Sequence, residues 1–399
     1  MSTTGNFYLL RRRTEGGHAR VTFVELFFDL VFVFAVTQLT HGLLHHLTPG
    51  GALQTLLLLL AVWWVWIYTS WATNWLDPQT TPVRLVLFAL MLAGLILSAS
   101  IPQAFEDRGL WFVGAYVSMQ VGRSFFTLWA LHKNDDVNFR TFQRITAWFV
   151  FSGLFWIGGA LLEGNARLTT WAAAVLLELA APALGYLTPG LGRSVTRDWN
   201  ISGGHIAERC GLFVILALGE SILINGATFA ELRWNLANFS GFVVGLVGSI
   251  AMWWVYFNIG AGRGTHLIEH AQDPGRIARL AYTYIHVVIV AGIIVSAAAD
   301  ETILAHPFGQ TTTAAMLLLA GGPLVFLLGC LTFKWATAGW PPLSHLAGMA
   351  LLATLLAAGW PLPPLAVGTL ATAILVVVAI WETVSLRQPL SSPTASETS

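Results

Sequence analysis

Charge is what this chain has least of. Asp, Glu, Lys and Arg make up 10% of its 399 residues, against roughly 25% in a soluble domain. Lysine is nearly missing: Lys133 and Lys334 are the only two, so no lysine stands mid-span to carry a retinal Schiff base. Cysteine occurs twice, as Cys210 and Cys330, each inside an apolar stretch, which excludes a disulfide framework and a cysteine-rich metal site. The net charge is zero, so no basic surface argues for nucleic acid. Neither a Walker loop nor a C-x-x-C-H haem site is present. The first twenty residues are polar and include Arg11-Arg12-Arg13, so a cleaved signal peptide is not expected.

What the chain has instead is apolar mass. Apolar types make up 56% of it, with 18 Trp and 24 Phe, and the mean hydropathy is +0.68. So few charges cannot cover that surface in water, which makes this a polytopic membrane protein of the all-α class. A helix crossing about 30 Å of hydrocarbon needs roughly 20 apolar residues. That window predicts about twelve transmembrane helices, near 22–44, 53–75, 82–102, 109–131, 144–162, 168–187, 207–228, 238–259, 277–299, 312–334, 343–359 and 364–386. Turn chemistry separates them, as at Pro49-Gly50-Gly51, Asp273-Pro274-Gly275 and Pro363-Pro364. The expected organisation is a cytoplasmic N-terminal segment over 1–21, a first six-helix repeat over 22–187 and a cytoplasmic linker over 188–206. A second six-helix repeat follows over 207–386, and then a disordered tail rich in Ser, Thr and Pro over 387–399.

Twelve spans put both termini on one side of the membrane, and the basic residues test that. Sixteen of the twenty Lys and Arg fall in or beside loops on the terminal side. Three, Arg108, Arg167 and Arg233, fall on the other, and Arg123 lies inside a span. By the positive-inside rule the rich side is cytoplasmic, in a cytoplasmic (inner) membrane. The chain also echoes itself at a distance of about 190 residues. Ala61-Val62-Trp63-Trp64-Val65-Trp66 matches Ala251-Met252-Trp253-Trp254-Val255-Tyr256, and Ala93 to Ala99 matches Ala291 to Ala297. Glu25 falls opposite Glu208. Six helices per repeat is an even number, so the two repeats are expected to be parallel, with a solute or ion path between them.

Ionisable residues inside spans cost about 2.5–3.5 kcal/mol each, which makes them the first candidates for a site. Glu25 and Asp29 stand four apart on one face of the first span, with Asp29 roughly 10 Å inside the boundary. Two such carboxylates need a proton or a cation beside them, and Arg123 is the expected partner. One reading makes this a static pair locking two helices; the other gives it a transport role. The seventh span opens with His205, Glu208 and Arg209 and carries Glu220 deeper, directly after Gly219. Glu178 and His286 complete the polar core candidates. A protonated, hydrogen-bonded Glu220 and a packed His286 are the structural alternatives. Gly219 is expected to let another helix come close. The tryptophan-rich runs at Trp63–Trp75 and Trp253-Trp254 read as packing inside the bundle, or as a wall for a cationic ligand. His266-Leu267-Ile268-Glu269-His270 has the H-x-x-E-H spacing of a zinc peptidase but no third ligand nearby, so no metal is expected. Nothing identifies a cofactor.

Glu25-Leu26-Phe27-Phe28-Asp29-Leu30-Val31-Phe32-Val33-Phe34-Ala35 resembles the bacterial low temperature requirement protein A (LtrA) family. The likeness continues at Ala72 to Asp77, Ile101 to Phe105, Val121-Gly122-Arg123, Ala181 to Gly185 and His205 to Ile222, covering most of Arg20 to Leu386. It implies a multi-spanning bacterial membrane protein named for a cold-growth phenotype, and supplies no mechanism. A looser likeness, of Arg20 and Phe28-Asp29 to a lysosomal potassium channel family with two six-span repeats, fails in the second repeat, where Leu212 stands opposite Asp29. The expected function is a transporter or ion pathway for a small solute or ion in the lipid bilayer. The alternatives are a membrane-embedded enzyme or redox protein acting on a lipid-soluble substrate, and a structural cold-adaptation protein.

Overall fold

The computed structural model describes residues 9–11, 20–132, 135–195, 202–258 and 274–387. The H-x-x-E-H sequence at 266–270 and Lys133 lie outside them. The described residues are helical almost throughout: α1 (Phe23–His45), α2 (Pro49–Trp75), α3 (Thr81–Ser100), α4 (Gly109–Leu131), α5 (Asp136–Ala160), α6 (Gly164–Ala183), α7 (Gly203–Glu231) and α8 (Leu236–Phe257). A turn of helix, α9 (Pro274–Ala278), runs through a π-helical stretch, Arg279–Ile285, into α10 (His286–Ala305). Then come α11 (Thr313–Leu319), α12 (Gly321–Ala338), α13 (Leu343–Ala358) and α14 (Pro364–Arg387). Among the described residues, eight helical segments are long and apolar enough to cross a membrane: α1, α2, Thr81–Gln103, α7, α8, Gly275–Ala305, Thr313–Ala338 and Pro364–Ser385. Outward faces are apolar stripes, as on α3, where Leu85, Phe88, Leu92 and Leu95 are 60, 40, 63 and 48% exposed. Such a belt is stable only against lipid.

Local chemistry sets the helix ends. Thr22 starts α1 with a capping box: its hydroxyl accepts from Glu25 N, and Glu25 Oε2 accepts from Thr22 N at 2.9 Å. Thr48 and Asn235 cap α2 and α8 through their side chains. Ahead of α1, Leu9 is fully buried, and its carbonyl and Arg11 N bond to Asp77 N and Trp75 O at 2.8 Å. That pairing draws Arg11 out of the polar leader and into the bundle.

Consecutive helices pack in the same order twice. In the N-terminal six, α1 lies against α2 and α3, then α3 on α4, α4 on α5 and α5 on α6. In the rest, α7 lies against α8 and α10, then α10 on α12, α12 on α13 and α13 on α14. The two sets meet where α1 and α2 touch α7 and α10. Helix α2 sits at that seam, with every residue from Ala61 to Asn74 buried, as an all-round apolar helix should be. Trp63, Trp64 and Trp66 are therefore core. Their counterparts Trp253 and Trp254 are not: they are 45 and 43% exposed, because α8 lies at the edge of the bundle. The α10–α12 contact is a close one. A Cβ on Gly292 would sit 2.4 Å from Phe326 N, and one on Gly329 would sit 2.8 Å from Ile289 N. Small residues allow that approach.

Gly292→Ala therefore forces two backbones apart and is expected to destabilise by about 1–3 kcal/mol. Gly114→Ala, where a Cβ meets open space, is expected to be neutral or stabilising. Thermal unfolding of the two variants in detergent checks the difference.

Candidate functional site

A cluster of buried charge forms where α1 crosses α7. Glu25 and Asp29, one turn apart on α1, and His205 and Arg209, one turn apart on α7, are all fully buried and face each other. Glu25 Oε1 lies 2.9 Å from His205 Nε2 and 3.2 Å from Arg209 Nη1. Its other oxygen accepts from Arg11 Nη2 and the Thr22 hydroxyl, each at 2.9 Å. Asp29 Oδ1 accepts from Arg209 Nη2 at 2.6 Å and from the Trp66 indole of α2 at 2.7 Å. The Arg209 guanidinium also lies over the Trp66 ring, 5.7 Å from its centroid. Asn74 Nδ2 faces His205 Nδ1 at 3.4 Å, and Arg11 Nη2 lies 3.2 Å from His205 Nε2. Two carboxylates thus meet two guanidiniums around a histidine, with no excess charge.

The cluster is unevenly satisfied. Asp29 Oδ2 and Arg209 Nε and Nη1 are buried without a hydrogen-bond partner. Nη1 is close enough to Glu25 for an ion pair but is not aligned for a hydrogen bond. Each such unmade hydrogen bond in a buried network costs free energy.

The expected partner of the two carboxylates was Arg123, and the structure corrects that. Arg123, on α4, is buried elsewhere: Nη1 donates to Val65 O at 3.2 Å and to the Thr69 hydroxyl at 3.1 Å, and Nη2 bonds to Gln120 Oε1. Gln120 leads to Tyr116, whose hydroxyl bonds to Glu178. Glu178 also accepts from Ser152 at 2.7 Å and Trp156 at 3.0 Å. Arg123 and Glu178 are thus the charged ends of one hydrogen-bonded chain inside the first six helices. Arg209 takes the partner's role because α7, and not α4, lies against the polar face of α1 near its start.

Two expectations about α7 also change. Glu208 is exposed and accepts from Val21 N at 3.2 Å; one residue of helix turns it some 100° away from Arg209. Gly219 meets nothing within reach of a Cβ, because it shares the outward stripe of Ile215 and Leu223, which are 43 and 65% exposed. Glu220 is buried and accepts from the Thr37 hydroxyl of α1, a second polar link between the two helix sets. His286 is fully buried at the end of the π-helical stretch. Its Nδ1 lies 2.8 Å from Ala281 O, and its Nε2 lies 2.8 Å from the Tyr256 hydroxyl, the pattern of a packed, neutral ring.

Three charged residues inside the bundle lie outside the sequence reading: Lys334 and Glu382, which are buried, and Asp300, which is half-buried. Lys334 bonds to Glu382 at 2.6 Å and to Val255 O at 3.0 Å; it looked like a span-end residue because its partners come from α8 and α14. Asp300, on α10, stood beyond the apolar window ending at 299, yet the helix runs on to Ala305. Among the described residues no group of three or more His, Cys, Asp or Glu is arranged to hold a metal.

Membrane-length helices with apolar outer faces around buried ionic networks define a multi-pass α-helical membrane protein. The sequence profile of the bacterial low temperature requirement A protein (LtrA) matches residues 20–380. The chain belongs to that family. It is also similar, at 40% identity over 386 residues covering 94% of this chain and 92% of the relative, to an uncharacterized protein of Rhizobium meliloti (strain 1021). No solved structure matches it.

Removing one member of a buried pair strands the other, at about 3–5 kcal/mol. Arg209→Leu is expected to cost this much, and Arg209→Leu with Asp29→Leu to cost less than the single change. Arg123→Leu with Asp29→Leu is expected to be additive, since the two share no partner. Thermal unfolding in detergent of the wild type, the three single variants and the two double variants measures both couplings.

Proposed function

We propose that this protein is a transporter or ion pathway for a small solute or ion, and that the Glu25–Asp29–His205–Arg209 cluster controls passage along the seam between its two helix sets. In this reading twelve spans form two parallel six-helix repeats in the cytoplasmic membrane, with both termini on the cytoplasmic side. The recurrence of the same neighbour order in α1–α6 and α7–α14 supports the repeats. The observation that carries the reading is the division of the cluster: its acids stand on α1 and its base and histidine on α7. Any motion of one set against the other must break or exchange these pairs, and the unpartnered Asp29 Oδ2 and Arg209 Nε offer places for exchange. Buried ionic groups with two discrete arrangements are the usual hardware of a gated path.

The orientation can be read by labelling. Cys210 and Cys330 are buried, so cysteines placed at exposed Asp107, Glu163 and Arg233 report alone. They are expected to react with an impermeant maleimide in intact cells, and one placed at Arg193 only after lysis. Reaction at position 193 from outside removes the ends-in arrangement.

The transport reading is tested with purified protein in liposomes, under imposed H+, Na+, K+ and Cl− gradients and with current or dye readout. Wild type is expected to respond to at least one gradient. Glu25→Gln and Asp29→Asn, checked for unchanged folding, are expected to lose at least about tenfold in rate, as loss of a charge-assisted contact worth ~1.4 kcal/mol or more requires. Wild-type liposomes indistinguishable from empty ones under every gradient would leave the cluster as a static clamp.

A further inference from the structure

A second polar centre lies wholly within the later helices. Between α8, α10 and α14 is a small cleft of about 30 Å³, lined in part by Gly245, Gly248 and Ser249 of α8, Ser296 and Asp300 of α10, and Thr372 of α14. Asp300 is its only acidic residue, and no Lys, Arg or His lines it. The hydrogen bond to Asp300 is the Ser221 hydroxyl of α7, long at 3.5 Å, and Ser221 in turn meets Ser249 at 3.3 Å. A carboxylate in this setting lacks a counter-charge from the protein.

Two buried oxygens without a partner stand on the helices beside it. Ser296 is 6% exposed and lines the cleft, yet its hydroxyl has no hydrogen-bond partner. Asn225, on α7, is 2% exposed; its Nδ2 donates to Phe242 O at 3.0 Å, and its Oδ1 has no partner. Asn225 and Asp300 converge on Gly245: a Cβ there would fall 2.7 Å from Asn225 Nδ2 and 2.9 Å from Asp300 Cγ. The available donors are a carboxylate, three or more hydroxyls and an amide oxygen. They are hard, oxygen-only and carry one formal negative charge.

We propose that this cleft binds a monovalent alkali cation, with Asp300 as the charged ligand and Ser296, Ser249 and the Asn225 amide oxygen completing its shell. Hard cations take such oxygen sets, and a single carboxylate neutralises one positive charge without surplus. Glu220, the residue before Ser221, faces the other way and bonds to Thr37 of α1. Occupancy at Asp300 is therefore read one residue away from the contact between the two helix sets. A role as coupling ion rests on the transport reading; binding itself does not, and equilibrium measurement separates the two.

The test is binding of 22Na+ to the full-length protein in detergent, with choline replacing sodium. Saturable binding near one ion per chain is expected, lost in Asp300→Asn and weakened about tenfold in Ser296→Ala, the loss expected for one contact to a charge. Wild-type and variant unfolding temperatures in choline alone control for folding. Should Asp300→Asn not fold, Ser296→Ala and Ser249→Ala carry the test with the same expected weakening. Absence of saturable sodium binding in wild type, or binding unchanged in the folded variants, overturns the site and leaves Asp300 a protonated packing residue. Sodium binding without any liposome flux would retain the site and remove the transport reading; flux without sodium binding would do the reverse.

Discussion

Glu25 accepts hydrogen bonds from the start of its own helix, from the segment ahead of it and from α7 at the same time, and the α1–α7 cluster follows from that. As the third residue of a capping box it cannot turn away without unwinding the first turn of α1. Its fixed position orients Arg209, which in turn fixes Asp29, and Asp29 receives the indole of Trp66 from the most enclosed helix in the molecule. Arg11 supplies the second positive charge, so two acids and two guanidiniums cancel and the burial of four ions is tolerable. The seam between the helix sets is held by electrostatics at one end and elsewhere by hydrogen bonds, from Thr37 to Glu220 and from Trp63 and Trp71 to Thr283.

The Glu178 network makes a useful contrast. Both of its carboxylate oxygens are engaged, by Tyr116, Ser152 and Trp156, and all of these come from the first six helices. A fully satisfied network within one unit rigidifies it. The α1–α7 cluster spans two units and leaves donors and acceptors spare. The same residue types thus appear once as a bolt within a unit and once as a joint between units.

The sequence made most of the helices legible, because each apolar run is long and is closed by Pro, Gly or a capping residue. It also exposed Glu25, Asp29, His205 and Arg209 as costly residues in apolar surroundings. Pairing was harder to read. Arg123 was the only cation deep inside a span and so looked like the natural counter-ion, but partner choice depends on which helices touch, and α1 meets α7 at the level of Glu25. Glu208 and Arg209 are neighbours in sequence and face opposite surroundings, because a helix advances by a third of a turn between them. Asp300 escaped because it stands where hydropathy falls, although its helix continues beyond it. Lys334 escaped because Glu382 arrives from the last helix of the chain.

The burial of α2 carries a consequence for how the protein is made. The Trp63 indole donates to Thr283 O and the Trp71 indole to the Thr283 hydroxyl, and both acceptors are synthesised long after α2 has left the ribosome. At about 5–20 residues per second, the intervening chain takes on the order of ten to forty seconds to appear. Throughout that interval α2 sits in the membrane with its tryptophans facing lipid or translocon instead of their final neighbours. Those two hydrogen bonds can therefore close only after residue 283 has been made. That interval is when a membrane chaperone or a quality-control protease has its opportunity to act.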